Sequence, residues 1–245
     1  MTNANPLFER THILIGDQGI ERLQASHVLI AGMGGVGSFT AEALARMGVG
    51  RLTLIDHDVV SASNINRQLI ALNSTIGQLK VEVMMQRIKD INPDCIVTID
   101  TEFLTPTSIP DVLSQEFDVV VDAIDSMSSK VILIETAWRN KMPIFASMGA
   151  GGKLDPSLIR TGDIMDTSMC KLAKQLRQHL RKRGVGKGIQ TVYSIEVPLP
   201  ALPPEQVSRG RPRAVNGTMS YMPSIFGLTL AGMVTNYIIG NARRV

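Results

Sequence analysis

The stretch Val28–Asp58, VLIAGMGGVGSFTAEALARMGVGRLTLIDHD, decides the fold. Val28 to Ala31 is an apolar run that opens onto the glycine cluster Gly32-Met33-Gly34-Gly35-Val36-Gly37. A helical pattern follows, and a second apolar run, Leu52 to Ile55, ends in Asp56. Strand, glycine turn, helix, strand and acid make a nucleotide-binding βαβ unit. Gly32, Gly34, Gly35 and Gly37 permit a tight turn and bring backbone N–H groups close to phosphate. The N-terminus of the following helix adds a partial positive charge on the same side. Asp56 lies about twenty residues beyond the turn, where an acid accepts hydrogen bonds from a ribose hydroxyl. Asp58 is a second acid there, readable as a ligand contact or as a plain turn residue. Alone, this unit suits NAD or FAD as well as it suits ATP.

Outward from it the chain alternates strand and helix patterns. Residues 1–26 read as an N-terminal arm and a short helix, and 57–74 as a long polar loop. Leu79, Val83, Met84, Ile88 and Ile91 recur at helical spacing, and Asn92-Pro93 ends that helix. Residues 96–99 predict a strand, 110–114 a short helix and 117–121 a buried parallel strand ending in Asp122-Ala123-Ile124-Asp125. A helix over 128–140 and a strand over 143–147 complete the core. The whole predicts a doubly wound, Rossmann-like, mostly parallel α/β sheet over 27–155. A basic helical C-terminal extension over 156–245 belongs to the same globular unit. Ligands of such sheets sit beyond the carboxyl ends of the strands, where Gly34, Asp56 and Asp125 all fall.

Bulk properties narrow the classes. A net charge of +3 on 245 residues is too small to argue for or against a nucleic-acid partner, so the distribution of charge carries that question. Cys95 and Cys170 are the 2 cysteines, which excludes a zinc site built from two CxxC pairs and fits a reducing, cytoplasmic setting. Cys95 reads as core and Cys170 as a poorly buried bystander. His12, His27, His57 and His179 lack ligand spacing and read as structural or exposed. MTNANPLFER lacks the apolar core of a signal peptide. Tyr221 to Gly240 carries no charge and is about long enough to span a bilayer, yet its Pro, Gly, Thr and Asn residues favour a buried helix over a membrane anchor.

Four side chains beyond the glycine turn shift the reading toward ATP. Asn64 and Arg67 stand in the loop SASNINRQ, Lys80 opens the next helix and Asp125 ends a core strand. An arginine fork and a lysine point charge near a phosphate cradle neutralise a polyphosphate. Asp125 can hold Mg²⁺, which needs one or two carboxylates beside phosphate oxygens.

GMGGVG, LIDHD, SNINRQ, GQLK and DAIDS resemble the motifs of the ubiquitin-activating-enzyme superfamily, in one order over about residues 8–150. That superfamily includes the adenylyltransferases of molybdopterin and thiamine biosynthesis, which bind ATP and adenylate a carboxylate. The resemblance implies that Asp56 holds the ribose, that Asn64, Arg67 and Lys80 hold the phosphates, and that Asp125 holds Mg²⁺. It also implies that Arg10, in FERTHILIG, reaches the phosphates of a partner subunit's site in a homodimer. Ser126 stands where many members have Asn.

Two departures and three segments select a branch. The zinc-binding cysteine pairs of the sulfur-carrier adenylyltransferases are absent, and no cysteine matches a thioester-forming position. MGAGGKLDP at 148–156, the basic helix at 171–183 and NGTMSYMPSIFG at 216–227 are similar to the tRNA threonylcarbamoyladenosine dehydratases. These cyclise a modified adenosine beside the anticodon after activating its threonine carboxylate with ATP. Lys171, Lys174, Arg177, Arg181, Lys182 and Arg183 then form a tRNA-binding face, with Arg209, Arg211 and Arg213 in a proline-rich connection. Two other readings stay open: an adenylyltransferase for a ubiquitin-like sulfur-carrier protein, and an NAD-binding dehydrogenase. The product AMP or ADP, a monovalent cation at the site and a docked sulfur-transfer protein are also left open.

Overall fold

The structure is a computed structural model that describes residues 5–203 and 216–241. The three arginines of the proline-rich connection lie outside the described residues. A seven-stranded sheet runs through the molecule in the order β3-β2-β1-β4-β5-β7-β6. The strands are β1 (His27–Ala31), β2 (Arg51–Ile55), β3 (Ile96–Asp100), β4 (Val119–Asp122), β5 (Ile144–Ser147), β6 (Ile159–Asp163) and β7 (Ile189–Ser194). All neighbours pair in parallel except β6, which lies antiparallel to β7 at one edge. The helices are α1 (Glu9–Ala25), α2 (Gly37–Met47), α3 (Lys80–Ile91), α4 (Ile109–Val112), α5 (Met127–Arg139), α6 (Lys171–Lys182) and α7 (Tyr221–Ile239).

Strand periodicity divides the core into two layers. Val28 and Ile30 of β1, and Val119 and Val121 of β4, pack with α1, α2, α3 and α7. Leu29, Ala31 and Val120 pack on the other face with α4, α5 and α6. Both faces are covered, which is why these strands are apolar throughout. β1 and β4 are adjacent but separated in sequence, so the chain reverses its winding between them and leaves a crevice at their carboxyl ends.

Three differences from the sequence reading have physical causes. The expected short N-terminal helix is 17 residues long, bent where Gly16 leaves helical geometry at φ 64° and ψ −174°. Arg22 of α1 donates to Ile239 O at 2.5 Å and caps the end of α7, a long-range use that local pattern does not announce. The C-terminal region is not only helical: β7 adds to β5 and β6 closes that edge. The β6 sequence IRTGD is half-exposed at an edge, so it lacks the apolar run that marks a central strand. Finally, Cys170 is buried at 6% exposure among Ile164, Ala173 and Leu176, not poorly buried.

The uncharged helix α7 is long and apolar enough to cross a membrane, but half of it is buried inside the protein. Met222, Phe226, Leu230 and Val234 are fully buried. Gly227 lets it approach α2 closely: a Cβ there would lie 2.4 Å from Val36 O. Thr40 Oγ1 donates to Gly227 O at 3.0 Å across the same contact. This is a core helix, as its Gly, Pro and Thr content implied.

Candidate nucleotide and acceptor site

A cavity of about 670 Å³ opens at the carboxyl ends of the strands, large enough for a nucleotide and part of an acceptor. Parallel strands with returning helices aim helix N-termini at this edge. Val36, Lys80, Ser126, Lys171 and Pro223, at or within two residues of the starts of α2, α3, α5, α6 and α7, all line the cavity. Each helix end brings a partial positive charge, so the site suits an anion before any side chain is counted.

The glycines divide their work. Gly32 has φ +95°, and a Cβ there would lie 2.7 Å from Ala123 O. A Cβ on Gly37 would lie 1.7 Å from Gly32 O. These two are glycine because protein packs against them. Gly34 is different: the nearest atom to an added Cβ is Gln68 Nε2 at 3.8 Å, and the residue lines the cavity. Its missing side chain leaves room for a ligand rather than for protein. A cradle of this kind fits a phosphate chain.

Most of the expected ATP-site residues meet here. Asp56 sits at the end of β2, where Oδ2 accepts from Met33 N at 2.6 Å and Oδ1 from Asp58 N at 2.9 Å. Its carboxylate thus fixes the glycine turn and keeps further lone pairs toward the cavity. Asp58 pairs with the Lys80 ammonium at 2.7 Å and lies 3.2 Å from His57 Nε2. Lys80 is buried at 5% exposure, so this cation is positioned beside the cavity by the loop that precedes it. Asn64 caps its own turn, accepting from Ser61 N at 3.1 Å. Arg67 Nη1 donates to Ser63 O at 2.8 Å and Asn66 Oδ1 at 2.9 Å, which holds the guanidinium at the rim. Asp125 is exposed and lines the same cavity, where a carboxylate can hold a cation against phosphates. Arg10 is exposed on α1 and is not among the cavity's lining residues.

The basic helix is less uniform than its sequence. Lys171 is exposed and lines the cavity, and Lys174, Arg181 and Lys182 are exposed beyond it. Arg177 turns inward to Thr167 Oγ1. Arg183 pairs with Glu135 at 2.8 Å, an acid from α5 that the basic stretch 171–183 does not reveal.

Three further groups at the site carried no assignment in the sequence reading. Gln68 lines the cavity, and its Oε1 is a buried acceptor without a partner, as a site awaiting a donor would leave it. Asp122 and Lys130, both 0% exposed, pair at 2.5 Å, and Lys130 also donates to Ser147 O at 3.0 Å. This buried pair ties the ends of β4 and β5 to α5. Lys153, in GAGGK, is 4% exposed, donates to Gly149 O and lies 5.7 Å from the centre of the Phe226 ring. Burial pulls its pKa below the usual lysine value, opposed by Cys170 and Glu196. A lysine just after two glycines at a strand end was the available signal.

Comparison with known proteins places this geometry. The model of the ThiF family matches residues 8–244, nearly the whole chain and all of the cavity. The chain belongs to the ThiF family. Within it, the chain is 40% identical over 234 residues to the tRNA threonylcarbamoyladenosine dehydratase of Bacillus subtilis (strain 168), covering 93% of this chain and 92% of that protein. The crystal structure of the E. coli tRNA N6-threonylcarbamoyladenosine dehydratase in complex with ATP superposes with a TM-score of 0.87. It is 36% identical and covers 96% of this chain and 94% of that one. The same E. coli enzyme in complex with AMP gives a TM-score of 0.85 at 36% identity, covering 95% and 94%. The ThiF-family assignment agrees with the superfamily resemblance read from GMGGVG through DAIDS.

Proposed function

We propose that this chain is an ATP-dependent tRNA threonylcarbamoyladenosine dehydratase. The observation that carries the proposal is the near-complete match to enzymes of that name, extending through the C-terminal third where the superfamily's branches differ. The glycine turn and helix N-termini would hold the triphosphate, Asp56 the ribose, and Asn64, Arg67 and Lys80 the phosphates. Asp125 is the carboxylate suited to Mg²⁺, which would neutralise phosphate charge when bound.

The chemistry needs no covalent enzyme nucleophile. A carboxylate oxygen of the threonyl group attacks phosphorus of ATP, and pyrophosphate leaves from an adenylate route. A nitrogen of the same modified base then attacks the activated carbonyl carbon, gives up its proton to solvent and expels AMP. The nucleoside loses one water in total, its oxygen departing on AMP. Because attack is intramolecular, orientation replaces nucleophilic activation, with effective molarities of roughly 10⁵ M or more. Arg67 and Lys80 act by stabilising charge on the phosphates as the bond to the leaving group breaks.

Arg10, exposed and away from its own cavity, serves this reaction only from a partner subunit, so the proposal includes a homodimer. Lys171, Lys174, Arg181 and Lys182 form the exposed part of the tRNA face, and a cytoplasmic setting follows from the substrate. The sulfur-carrier adenylyltransferase reading is weaker, since the chain lacks its zinc cysteines. Nucleoside analysis of bulk tRNA from cells with and without the protein tests the proposal. Loss of the cyclised nucleoside, with the open form accumulating, is the expected result; an unchanged profile would refute it.

A further inference from the structure

We infer that Lys153 binds the substrate carboxylate that is to be activated, a role that rests on the carboxylate-activating function proposed above. Three lysines are buried among the described residues: Lys80, Lys130 and Lys153. Lys80 meets Asp58 at 2.7 Å and Lys130 meets Asp122 at 2.5 Å. Lys153 meets no carboxylate among the described residues. Its contacts are the carbonyl of Gly149 and the face of Phe226. Cys170 and, less strongly, Glu196 are close enough to be felt electrostatically, but neither forms an ion pair with Lys153 among the described residues. The Glu196 carboxylate is taken up by Leu154 N and Asp155 N, at 2.9 to 3.1 Å.

A buried cation without a counter-charge is costly. An ammonium has three donors, and one carbonyl leaves it under-used. Both features are those of a group whose anion arrives with a ligand. Position says which ligand. Lys153 lines the same cavity as the glycine turn, but from the segment after β5. The phosphate end is already served by Arg67, from the loop after β2, and Lys80, at the start of α3. The half of the cavity around Ser147, Gly149, Gly151 and Lys171 has no assigned occupant. In a carboxylate-activating enzyme that half takes the acceptor, and Lys153 is the buried charge there that matches it.

The test is binding, with AMP in place of ATP so that no turnover occurs. Wild type and K153M are titrated with threonylcarbamoyl-modified tRNA and with the same tRNA carrying a neutral methylamide in place of the carboxylate. A charge-assisted contact predicts that wild type prefers the carboxylate form by roughly tenfold or more. K153M should bind both forms at the affinity wild type shows for the amide, with AMP affinity within twofold of wild type. Met fills the same volume without a charge, so the variant should melt cooperatively at or above the wild-type temperature. A K153M protein that keeps the preference overturns the inference. One that loses affinity for the amide form as well, or loses its melting transition, also overturns it, because Lys153 then serves the loop 149–153 instead. If wild type itself shows no affinity for either tRNA, the substrate reading fails, and the inference fails with it.

Discussion

Replacing Lys130 with Met removes one half of a buried ion pair and leaves the other stranded. Asp122 is 0% exposed, and its one other hydrogen bond is from Ile124 N at 3.1 Å. Burial pushes the Asp122 carboxyl upward and the Lys130 ammonium is the main group opposing that push, so in K130M only the Ile124 N–H still opposes it. The carboxyl escapes an unpaired charge by keeping a proton. At pH 7 that costs about 1.4 kcal/mol for each of the roughly three pH units above its ordinary value of 3.8, or about 4 kcal/mol. The figure agrees with the roughly 3–5 kcal/mol lost when one partner of a buried pair is deleted. The sign in pH follows from linkage. A carboxyl whose folded pKa is raised binds its proton more tightly in the folded state, so folding is favoured below the unfolded value and weakens as pH rises. The penalty in K130M should therefore shrink by about 1.4 kcal/mol between pH 7 and pH 6. Urea unfolding of wild type, K130M and the double variant D122N/K130M at both pH values measures this. The double variant, with no charge left to strand, should recover more than half of the loss. A K130M protein within about 1 kcal/mol of wild type at pH 7, or one whose own stability does not rise from pH 7 to pH 6, would refute the reasoning.

Other consequences are as direct. Gly34→Ala should leave the melting temperature within a few degrees of wild type but weaken ATP binding at least tenfold by calorimetry, since only a ligand needs that space. Gly37→Ala should instead destabilise the fold, because its Cβ would strike Gly32 O. Lys80→Ala should cost about 2–4 kcal/mol of transition-state stabilisation, read as a fall in kcat of roughly 30- to 900-fold; turnover within tenfold of wild type would contradict it. Lys174→Ala with Arg181→Ala should weaken tRNA binding and reduce the slope of log affinity against log salt by about 2. Arg177→Ala should change that slope little, because its guanidinium is engaged with Thr167.

Val28–Asp58 carried most of the fold in advance, because a parallel strand buried on both faces has to be apolar and the turn at its end has to be glycine. The same directness held for Asp56, Asn64, Arg67, Lys80 and Asp125, each placed by local motif at one edge of the sheet. What the sequence hid is what depends on distant contact. Asp122 and Lys130 read as a strand end and a helix residue until folding brings them to 2.5 Å. Glu135 neutralises Arg183 from 48 residues away. Strand β6 was invisible because an edge strand with one exposed face need not be apolar. Cys170 seemed incidental because its burial is set by α6 packing on the sheet rather than by its neighbours in sequence. Lys153 stood in GAGGK, yet only the lack of an ion-paired carboxylate among the described residues distinguishes it from Lys80 and Lys130.

The most direct measurement is a reconstitution. Purified protein is incubated with ATP, Mg²⁺ and threonylcarbamoyl-modified tRNA, and the nucleosides are weighed by mass spectrometry, with Lys80→Ala as the control. The account predicts a nucleoside lighter by one water, formed only when ATP is present and largely lost in the variant. A nucleoside of unchanged mass under saturating ATP would contradict it.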